Sequence, residues 1–288
     1  MLIQFLINAF SLGSFYALMA LGFSLIFGVT RAFNLAHGEL VVLSGYVAYV
    51  LGVHWQLSFF WTIPFCMVFM LLVAVLLRIL LVHVKEPFQL NTLVLTFGLA
   101  LLLQNLMLGL FSANFRLIRI HSAPLEIPFS GAGITPIQFS LISLSLLATA
   151  AVWALWRKTF LGKALRATMQ DSEAARLAGI HIGHMGLIAF ALGGALIGLA
   201  GPLFGLSAYL HPFGGMEATL VAIIITIFAG IGRIRGILLG GWILGIVESL
   251  TVYTLGASWR ECVSAAILIG LLLLRPEGIL PVWTGAKK

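Results

Sequence analysis

Charged residues are scarce in this chain: only 9% of its 288 residues are Asp, Glu, Lys or Arg. Soluble globular domains carry about 25% charged residues, so a soluble domain is excluded. The hydrophobic fraction is 61% and the mean hydropathy is +1.12. The apolar runs are long enough to cross about 30 Å of hydrocarbon, which takes roughly 20 helical residues. No run alternates apolar and polar residues with period two, which argues against a membrane β-barrel. The sequence therefore predicts a polytopic helical membrane protein.

Residues that carry catalytic or metal chemistry are also scarce. The two cysteines, Cys66 and Cys262, lie in or beside apolar segments without metal-ligand spacing, so we interpret them as small core residues. The sequence around Gly162-Lys163 lacks both the first glycine and the Ser or Thr of a Walker motif. No pair of carboxylates and no two-histidine motif lies within an apolar run. The sequence predicts a protein that is not an enzyme and binds no cofactor itself. If ATP drives it, another polypeptide must hydrolyse the ATP.

Apolar runs between polar breaks divide the chain into nine segments. They span approximately residues 5–29, 40–53, 59–82, 90–111, 137–156, 186–206, 216–230, 237–255 and 261–274. The second, seventh and ninth are short for a complete crossing, which indicates broken or re-entrant helices. We expect an all-α membrane protein with about 8–9 transmembrane or partly re-entrant helices. Residues 1–288 are expected to form a single transmembrane domain with a cytoplasmic loop at about 157–185. The loop 112–135, which contains Pro and Gly, is expected to be an external connection without regular structure.

Basic residues predict the orientation in the membrane. The net charge is +7, but Lys and Arg cluster at the ends of apolar runs, which indicates membrane orientation and not nucleic-acid binding. If the segments alternate and 157–184 is cytoplasmic, 13 of the 16 basic residues fall inside. Only Arg116, Arg119 and Arg260 fall outside. We therefore predict a cytoplasmic C-terminus. The N-terminus is predicted outside, and one re-entrant segment in the first half would invert it.

Two stretches of the chain are alike in design. The first segment leads into residues 34–39 (Asn-Leu-Ala-His-Gly-Glu), and the sixth leads into residues 211–217, which end in Gly-Gly-Met-Glu. A short apolar segment follows each stretch, and the two units have opposite predicted orientations, which indicates an inverted repeat. Paired, interrupted segments of this kind mark the substrate pathway of transporters. The candidate pathway residues are Asn34, His37, Gly38, Glu39, Glu217 and Glu248.

The candidate pathway carboxylates each have two interpretations. Glu39 and Glu217 stand at the starts of short helices, where they are suited either to bind a cation or to cap their own helices. Glu248 lies about twelve residues into the eighth segment, where a charge costs about 2.5 to 3.5 kcal/mol on insertion scales. It is therefore expected to face protein or water, either in a hydrogen bond to a neighbouring helix or on the pathway. His37 has no second histidine four residues away, so a metal site is not predicted.

Glycines recur at four-residue spacing in the second half of the chain, as in Gly194 with Gly198 and Gly241 with Gly245. Small residues at this spacing let helix backbones approach closely. We expect these segments to pack tightly within the chain, with packing against a second subunit as the alternative.

The segment 157–184 is a charged island in an apolar sequence. Leu161, Leu165, Thr168 and Met169 share one face of a predicted helix there. Such a helix is suited to lie at the membrane surface and to present a face to a partner. Composition alone leaves open a basic loop that only fixes topology.

Four ordered motifs resemble a known family. They are residues 34–39, Gly162-Lys163-Ala164-Leu165-Arg166-Ala167, residues 230–245 and Arg275-Pro276-Glu277-Gly278-Ile279-Leu280. With these motifs the chain resembles the branched-chain amino acid importer permeases of the LivH type. Residues 173–179 (Glu-Ala-Ala-Arg-Leu-Ala-Gly) are similar to the coupling motif of ABC importer permeases, although its later Leu-Pro is missing. The resemblance departs at Ala229 and Arg235, where members often have Gly and Pro, so a differently shaped turn is expected there.

The resemblance implies a function and a set of partners. It implies the permease subunit of an ATP-driven importer of branched-chain or other hydrophobic amino acids in a bacterial inner membrane. The alternatives are a related permease for urea, short amides or another small solute, and a secondary transporter. The implied partners are a second permease of related fold, two ATPase subunits that hold ATP and Mg²⁺, and an extracytoplasmic substrate-binding protein. The implied ATPase-coupling residues are Gly162, Arg166, Glu173, Ala174, Ala175 and Gly179.

Overall fold

The computed structural model describes residues 2–118, 125–127, 132–207 and 209–274. The helices are α1 (Leu2–Thr30), α2 (His37–Tyr49), α3 (Phe59–Val82), α4 (Phe88–Phe111), α5 (Pro136–Lys158), α6 (Phe160–Gln170), α7 (Ser172–Leu177), α8 (Ile182–Ser207), α9 (Gly215–Ala229), α10 (Ile234–Thr254) and α11 (Arg260–Leu274). A π-helical turn, Val50–His54, extends α2, and a 3-10 turn, Ala257–Trp259, precedes α11. The all-α prediction is confirmed. The family-like motif at 275–280 and the predicted cytoplasmic C-terminus lie outside the described residues.

Each of the nine predicted apolar segments coincides with a helix, namely α1 to α5 and α8 to α11. Within the described ranges, six helices are long and apolar enough to cross a membrane: α1, α3, α4, α5, α8 and α10. The three segments predicted to be short are α2, α9 and α11, with 13, 15 and 15 residues. The chain is therefore a multi-pass helical membrane protein.

The loop between α4 and α5 contains regular structure that the sequence did not predict. Leu125–Ile127 (β1) pairs with Ala132–Ile134 (β2) in an antiparallel hairpin. The expectation of a fully irregular loop is therefore wrong. Pro124, Pro128 and Gly131 flank the strands in the sequence, where such residues favour turns without interrupting the ladder.

The loops gather at two ends of the helix bundle. The end that holds α6 and α7 is here named the basic end, and α1 reaches it where Arg31 Nη2 donates to the Met169 carbonyl at 3.0 Å. The end that holds β1 and β2 is named the hairpin end, and α1 reaches it where Gly133 N donates to Gln4 Oε1 at 3.0 Å. At about 1.5 Å per residue, the 29 residues of α1 span about 43 Å. One helix thus connects both ends of the molecule.

Burial separates the central helices from the peripheral ones. Nearly every residue of α1 from Ser11 to Val29 is buried. In contrast, α3 and α4 each expose a row of apolar side chains, including Leu72, Leu76, Leu102 and Leu106. Apolar faces of this kind are suited to contact lipid. The centre of the bundle is therefore α1, and α3 and α4 lie at its outside.

The chain re-enters the bundle after α1. Arg31 has a left-handed backbone conformation, with φ of 55°, which turns the chain back from the basic end. Thr96 Oγ1 of α4 accepts a hydrogen bond from Leu35 N and lies 3.1 Å from the carbonyl of Phe33. Irregular backbone is tolerated at membrane depth only where protein groups satisfy its polar atoms, as here. The first residue of α2, His37, therefore lies beside Met19 in the middle of α1.

The two short helices α2 and α9 meet at their N-terminal ends. Gly38 N donates to Thr219 Oγ1 at 2.8 Å, and the same hydroxyl lies 3.2 Å from the Leu35 carbonyl. The Glu39 carboxyl group packs against Gly215, where a larger residue would collide with it. This contact among Gly38, Glu39, Gly215 and Thr219 is named the half-helix junction.

Small residues allow two close helix pairs that correspond to each other. The most extensive contacts in the bundle are those of α3 with α8 and of α1 with α10. The close approaches are Gly241 to Ala17, Gly245 to Gly13, Gly198 to Cys66 and Gly194 to Met70. Exchanging α1 with α8 and α3 with α10 converts one helix pair into the other, although the glycines lie mainly on α10 in the first pair and on α8 in the second. The glycine pairs therefore pack within the chain, as expected. The inverted repeat stays a prediction, which these paired contacts favour.

Candidate functional site

A cavity of about 460 Å³ lies between α1, α5, the end of α8, α9 and the start of α11, and is named the vestibule. One face of α1 lines it, from Asn8 near the hairpin end to Met19 in the middle of the helix. The eleven steps from Asn8 to Met19, at about 1.5 Å each, correspond to a depth of about 16 Å. His37 Nε2 lies 3.1 Å from the Met19 carbonyl. The inner end of the vestibule therefore lies beside the half-helix junction.

Arg260 organises a polar network on one wall of the vestibule. Its Nε donates to Glu248 Oε2 at 2.9 Å, and its Nη2 donates to Tyr16 OH at 2.8 Å and to Glu217 Oε1 at 2.5 Å. Tyr16 OH in turn donates to Glu248 Oε2 at 2.6 Å, and the Ser264 hydroxyl donates to the other Glu248 oxygen. These five residues, from α1, α9, α10 and α11, are named the arginine network.

The network compensates the deeply buried carboxylate of Glu248, which is 1% exposed. A buried carboxylate is tolerated when charged and polar partners satisfy its oxygens, and here a guanidinium and two hydroxyls do so. Of the two interpretations of Glu248, the structure shows hydrogen bonds to neighbouring helices. Glu217 differs, because it lines the vestibule and is 40% exposed.

Neither glutamate at the start of a short helix forms a cap hydrogen bond. The N-cap residues of α2 and α9, Ala36 and Gly214, form no side-chain cap hydrogen bond, and in the first turn of α2 Gly38 N donates to Thr219 Oγ1 of α9. Instead, Glu217 pairs with Arg260 of α11, and the Glu39 carboxyl group faces Gly215 of α9. The carboxylates therefore connect different helices.

The predicted pathway residues divide into two groups. Glu217 and Glu248 belong to the arginine network, whereas Asn34, His37, Gly38 and Glu39 lie at or next to the half-helix junction. Asn34 Oδ1 accepts from Ala36 N at 3.1 Å and so shapes the turn before α2. Among the described residues, no three His, Cys, Asp or Glu side chains are placed to share a metal ion.

The first half of the charged island forms α6, an amphipathic helix at the basic end. Thr159 Oγ1 accepts from Gly162 N at 3.0 Å and starts the helix. Gly162 and Leu165 are buried, whereas Arg166 is exposed. A side chain at position 162 would come within 2.6 Å of the Trp156 carbonyl oxygen, so glycine allows α6 to pack against the end of α5.

The second half of the island forms the short helix α7. Asp171 Oδ1 accepts from Glu173 N at 2.9 Å and from Ala174 N at 3.0 Å, a side-chain cap that starts the helix. Ala175 is its buried residue, whereas Glu173 and Ala174 are exposed. The acidic and small residues of the motif are therefore accessible at the surface.

A glycine ends α7. Gly179 has φ of 83°, Gly179 N donates to the Arg176 carbonyl, and Ile180 N donates to the Ala175 carbonyl. This pattern is the Schellman motif, which favours glycine because side chains disfavour the left-handed conformation. The apolar side chain of Leu177, two residues before Gly179, is 90% exposed. The segment thus presents an apolar side chain next to Glu173.

Comparison with known proteins identifies the family. Permease components of branched-chain amino acid transport systems form one family, and the sequence pattern of that family matches residues 5–272. The chain belongs to this family. Members of this permease family are transport subunits, in agreement with the prediction that the chain is not an enzyme.

Relatives of this permease match over nearly the full length. The high-affinity branched-chain amino acid transport system permease protein LivH of Escherichia coli is 30% identical over 305 residues, covering 96% of this chain and 95% of its own. The corresponding protein BraD of Pseudomonas aeruginosa is 26% identical over 292 residues, with the same coverage. The solved structure of PsaBC from Streptococcus pneumoniae in complex with Fab has a TM-score of 0.53 and 16% identity, covering 96% of this chain and 92% of that one. That likeness shows the fold. The resemblance to LivH-type permeases is confirmed.

Sequence reasoning about this permease missed three members of the arginine network. Tyr16, Arg260 and Ser264 belong to no sequence motif. The count of basic residues places Arg260 on the predicted outside and gives it no other role. The available signal was the buried Glu248, which required a cationic partner. Arg260 follows it by twelve residues, beyond the break at Gly256 with φ of 97°.

Proposed function

We propose that the chain is the permease subunit of an ATP-driven importer of branched-chain or other hydrophobic amino acids. The match of the family over residues 5–272 carries this proposal. The vestibule is compatible with such a solute, because apolar side chains and one accessible ion pair line it. Ligand sites are commonly apolar cavities with a few polar groups that orient the ligand.

The proposed assembly contains a second permease of related fold, two ATPase subunits and an extracytoplasmic substrate-binding protein. ATP and Mg²⁺ are held by the ATPase subunits, and this chain binds no cofactor. The assembly lies in a bacterial inner membrane with the basic end and the C-terminus in the cytoplasm. The excess of Lys and Arg at that end supports this orientation.

The proposed ATPase contact is the surface formed by α6 and α7. Arg166, Glu173 and Ala174 are exposed on it, and Leu177 is 90% exposed. A helix that presents apolar and charged side chains outside the bundle is suited to dock into a groove of a partner. Gly162 and Ala175 are buried beneath this surface, and Gly179, which is exposed, fixes how α7 ends.

The proposed transport step couples this surface to the half-helix junction. Arg31 at the end of α1 contacts the Met169 carbonyl of α6, and the same helix lines the vestibule. A displacement of α6 on ATP binding therefore shifts α1 relative to α2 and α9. Separation of Gly38 from Thr219 then opens the inner end of the vestibule.

The experiment is reconstitution of the complete importer in liposomes, with its two permeases, ATPases and binding protein. We expect ATP-dependent uptake of labelled leucine, and ATP hydrolysis that rises when the binding protein is loaded. Urea serves as the comparison solute. Uptake of urea in place of leucine, or uptake of leucine without ATP, contradicts the proposal.

A further inference from the structure

We propose that Arg260 and Glu217 bind the head group of a zwitterionic amino acid in the vestibule. The carboxylate of the solute accepts hydrogen bonds from Arg260 Nη1, and its ammonium group donates to Glu217 Oε2. This inference rests on the proposed function and deepens it, because it assigns the solute contact to two side chains.

The ion pair, whose two residues line the vestibule, has unused hydrogen-bonding capacity. A guanidinium carries five N–H donors. Three of those of Arg260 are used by Glu248, Tyr16 and Glu217, and Nη1 has no partner among the described residues. Glu217 Oε1 accepts the hydrogen bond from Arg260, whereas Glu217 Oε2 has no hydrogen-bond partner among the described residues. The two side chains are 34% and 40% exposed, so a solute can reach both free groups.

The spacing of these groups fits an α-amino acid. Arg260 Nη2 and Glu217 Oε1 are 2.5 Å apart, so the free donor and the free acceptor belong to touching side chains. An α-amino acid carries its ammonium and carboxylate groups on one carbon atom and can contact both at once. A solute with a single charge satisfies only one of them. Charge-assisted hydrogen bonds to both ends therefore favour a zwitterion.

The net charge of the network disfavours anions. Glu217 and Glu248 contribute −2 and Arg260 contributes +1, which leaves −1. A zwitterion adds no net charge, whereas an anion is repelled by the unbalanced carboxylate. The ion pair therefore selects the head group by charge as well as by shape.

The arginine is held in position before a solute arrives. Glu248, which is 1% exposed, fixes the Nε side of the guanidinium, and Tyr16 fixes Nη2. Binding groups that are already ordered do not lose conformational freedom when a ligand binds. Glu248, Tyr16 and Ser264 are thus positioning residues for Arg260.

Part of the remaining wall suits an apolar side chain, and the rest carries polar residues such as Asn8 and Gln138. Leu12, Phe15 and Met19 of α1, Leu141 of α5 and Val221 of α9 line the vestibule. Its volume of about 460 Å³ exceeds that of any single hydrophobic amino acid and lies within the usual range of ligand cavities. A head group at the ion pair leaves this apolar wall for the solute side chain.

The test compares Glu217→Gln with Glu261→Gln in the complete importer. Glu261 is the neighbour of Arg260, is exposed, and does not line the vestibule among the described residues. We expect Glu217→Gln to lower the leucine moved per ATP hydrolysed by about tenfold, because a charge-assisted hydrogen bond to the ammonium group is lost. Glu261→Gln is expected to match the wild type. Equal transport ratios for Glu217→Gln and the wild type overturn the head-group assignment.

A second measurement uses only the wild-type importer and therefore does not depend on whether a variant folds. A leucine analogue with a diazirine in its side chain is photoactivated in the wild-type importer, and the labelled peptides are mapped. We expect labelling of the α1 peptide that contains Leu12, Phe15 and Met19, or of the α9 peptide that contains Val221, and suppression by excess leucine. Labelling confined to helices outside the vestibule overturns the inference.

The choice of solute separates this inference from the proposed function. If the wild type takes up serine but not leucine, the apolar specificity of the proposed function is contradicted. If Glu217→Gln then loses the uptake of serine, the zwitterion site is still supported. Uptake of urea alone contradicts both, because urea has neither charge. An importer that moves none of these solutes also contradicts both.

Discussion

Glu248 shows how this permease accommodates a charge among apolar helices. Its carboxylate is hydrogen-bonded to the Arg260 guanidinium and the Ser264 hydroxyl of α11 and to the Tyr16 hydroxyl of α1. Removal of one partner from a buried pair leaves the other uncompensated, which costs more than the pair contributes to stability. The network therefore holds α1, α10 and α11 together only while it is complete.

Replacement of Glu248 by Ala tests this dependence. We expect the free energy of unfolding to fall by about 3 to 5 kcal/mol, because the charge of Arg260 loses its most buried partner. Glu248→Gln keeps the shape and is expected to lose about 1 to 3 kcal/mol. The measurement is the unfolding midpoint in detergent, with Glu261→Gln as the unaffected control. Identical midpoints for Glu248→Ala and the wild type contradict the stabilising role.

Gly38 is the residue on which the half-helix junction depends most directly. A methyl group at this position overlaps the Gly215 carbonyl and comes within 2.7 Å of Thr219 N. Both neighbours are backbone atoms of α9, so relief requires the two short helices to separate.

Gly38→Ala is therefore expected to lower stability by about 1 to 3 kcal/mol, the usual cost of overpacking. It is also expected to reduce uptake, because we propose that this junction closes the inner end of the vestibule. Gly98→Ala is the matched control, because that helical glycine has open space around it. The comparison uses unfolding midpoints and initial uptake rates. If both variants behave alike, the close contact at Gly38 has no energetic role.

At the level of elements, the start and end of α7 are fixed by local chemistry. Asp171 caps its first turn, and Gly179 ends it in a left-handed conformation. A short helix contributes little stability of its own, so its ends decide whether it forms. This is a physical reason for the terminal glycine of the coupling-like motif.

Gly179→Ala is expected to cost about 1 kcal/mol or more, because alanine is strained at positive φ. The expected result is normal membrane insertion with weaker stimulation of ATP hydrolysis and lower uptake. Gly183→Ala is the control, since Gly183 has open space and its φ is not in the left-handed range. Unchanged coupling in Gly179→Ala argues against a role of this turn in contact with the ATPase.

Most elements were predictable from the sequence because apolar length and glycine position determine them. The long helices follow from the length needed to cross the membrane. The short α2 and α9 follow from the short apolar runs that form them, and Gly38 and Gly215 in their first turns allow their N-terminal ends to meet. The hairpin β1–β2 was missed because three-residue strands leave no periodic pattern to recognise.

At the level of the whole molecule, the arginine network was not predictable. Tyr16 and Arg260 are 244 residues apart, and Glu217 and Arg260 are 43 apart. No periodicity links positions in different helices, so only the packed bundle brings them together. The cost of burying Glu248 predicted that a partner exists but not which residue it is.

The orientation of the whole molecule is open to a direct test. Fusion of a fluorescent protein that matures only in the cytoplasm, and of a phosphatase active only outside, reports the side of the C-terminus. We expect fluorescence and no phosphatase activity, because the excess of basic residues favours a cytoplasmic basic end. The converse result contradicts the predicted topology.

The length of α1 is constrained in a way that its composition does not reveal. Arg31, which contacts α6, follows Tyr16 of the arginine network by fifteen positions. Each inserted residue rotates an α-helix by about 100°, so one insertion between these positions turns one of the two contacts away from its partner. A full turn restores the direction but lengthens the helix by about 5.4 Å. Substitutions are therefore tolerated along much of this stretch. An insertion or a deletion, in contrast, breaks either the contact of Tyr16 with the arginine network or the contact of Arg31 with α6.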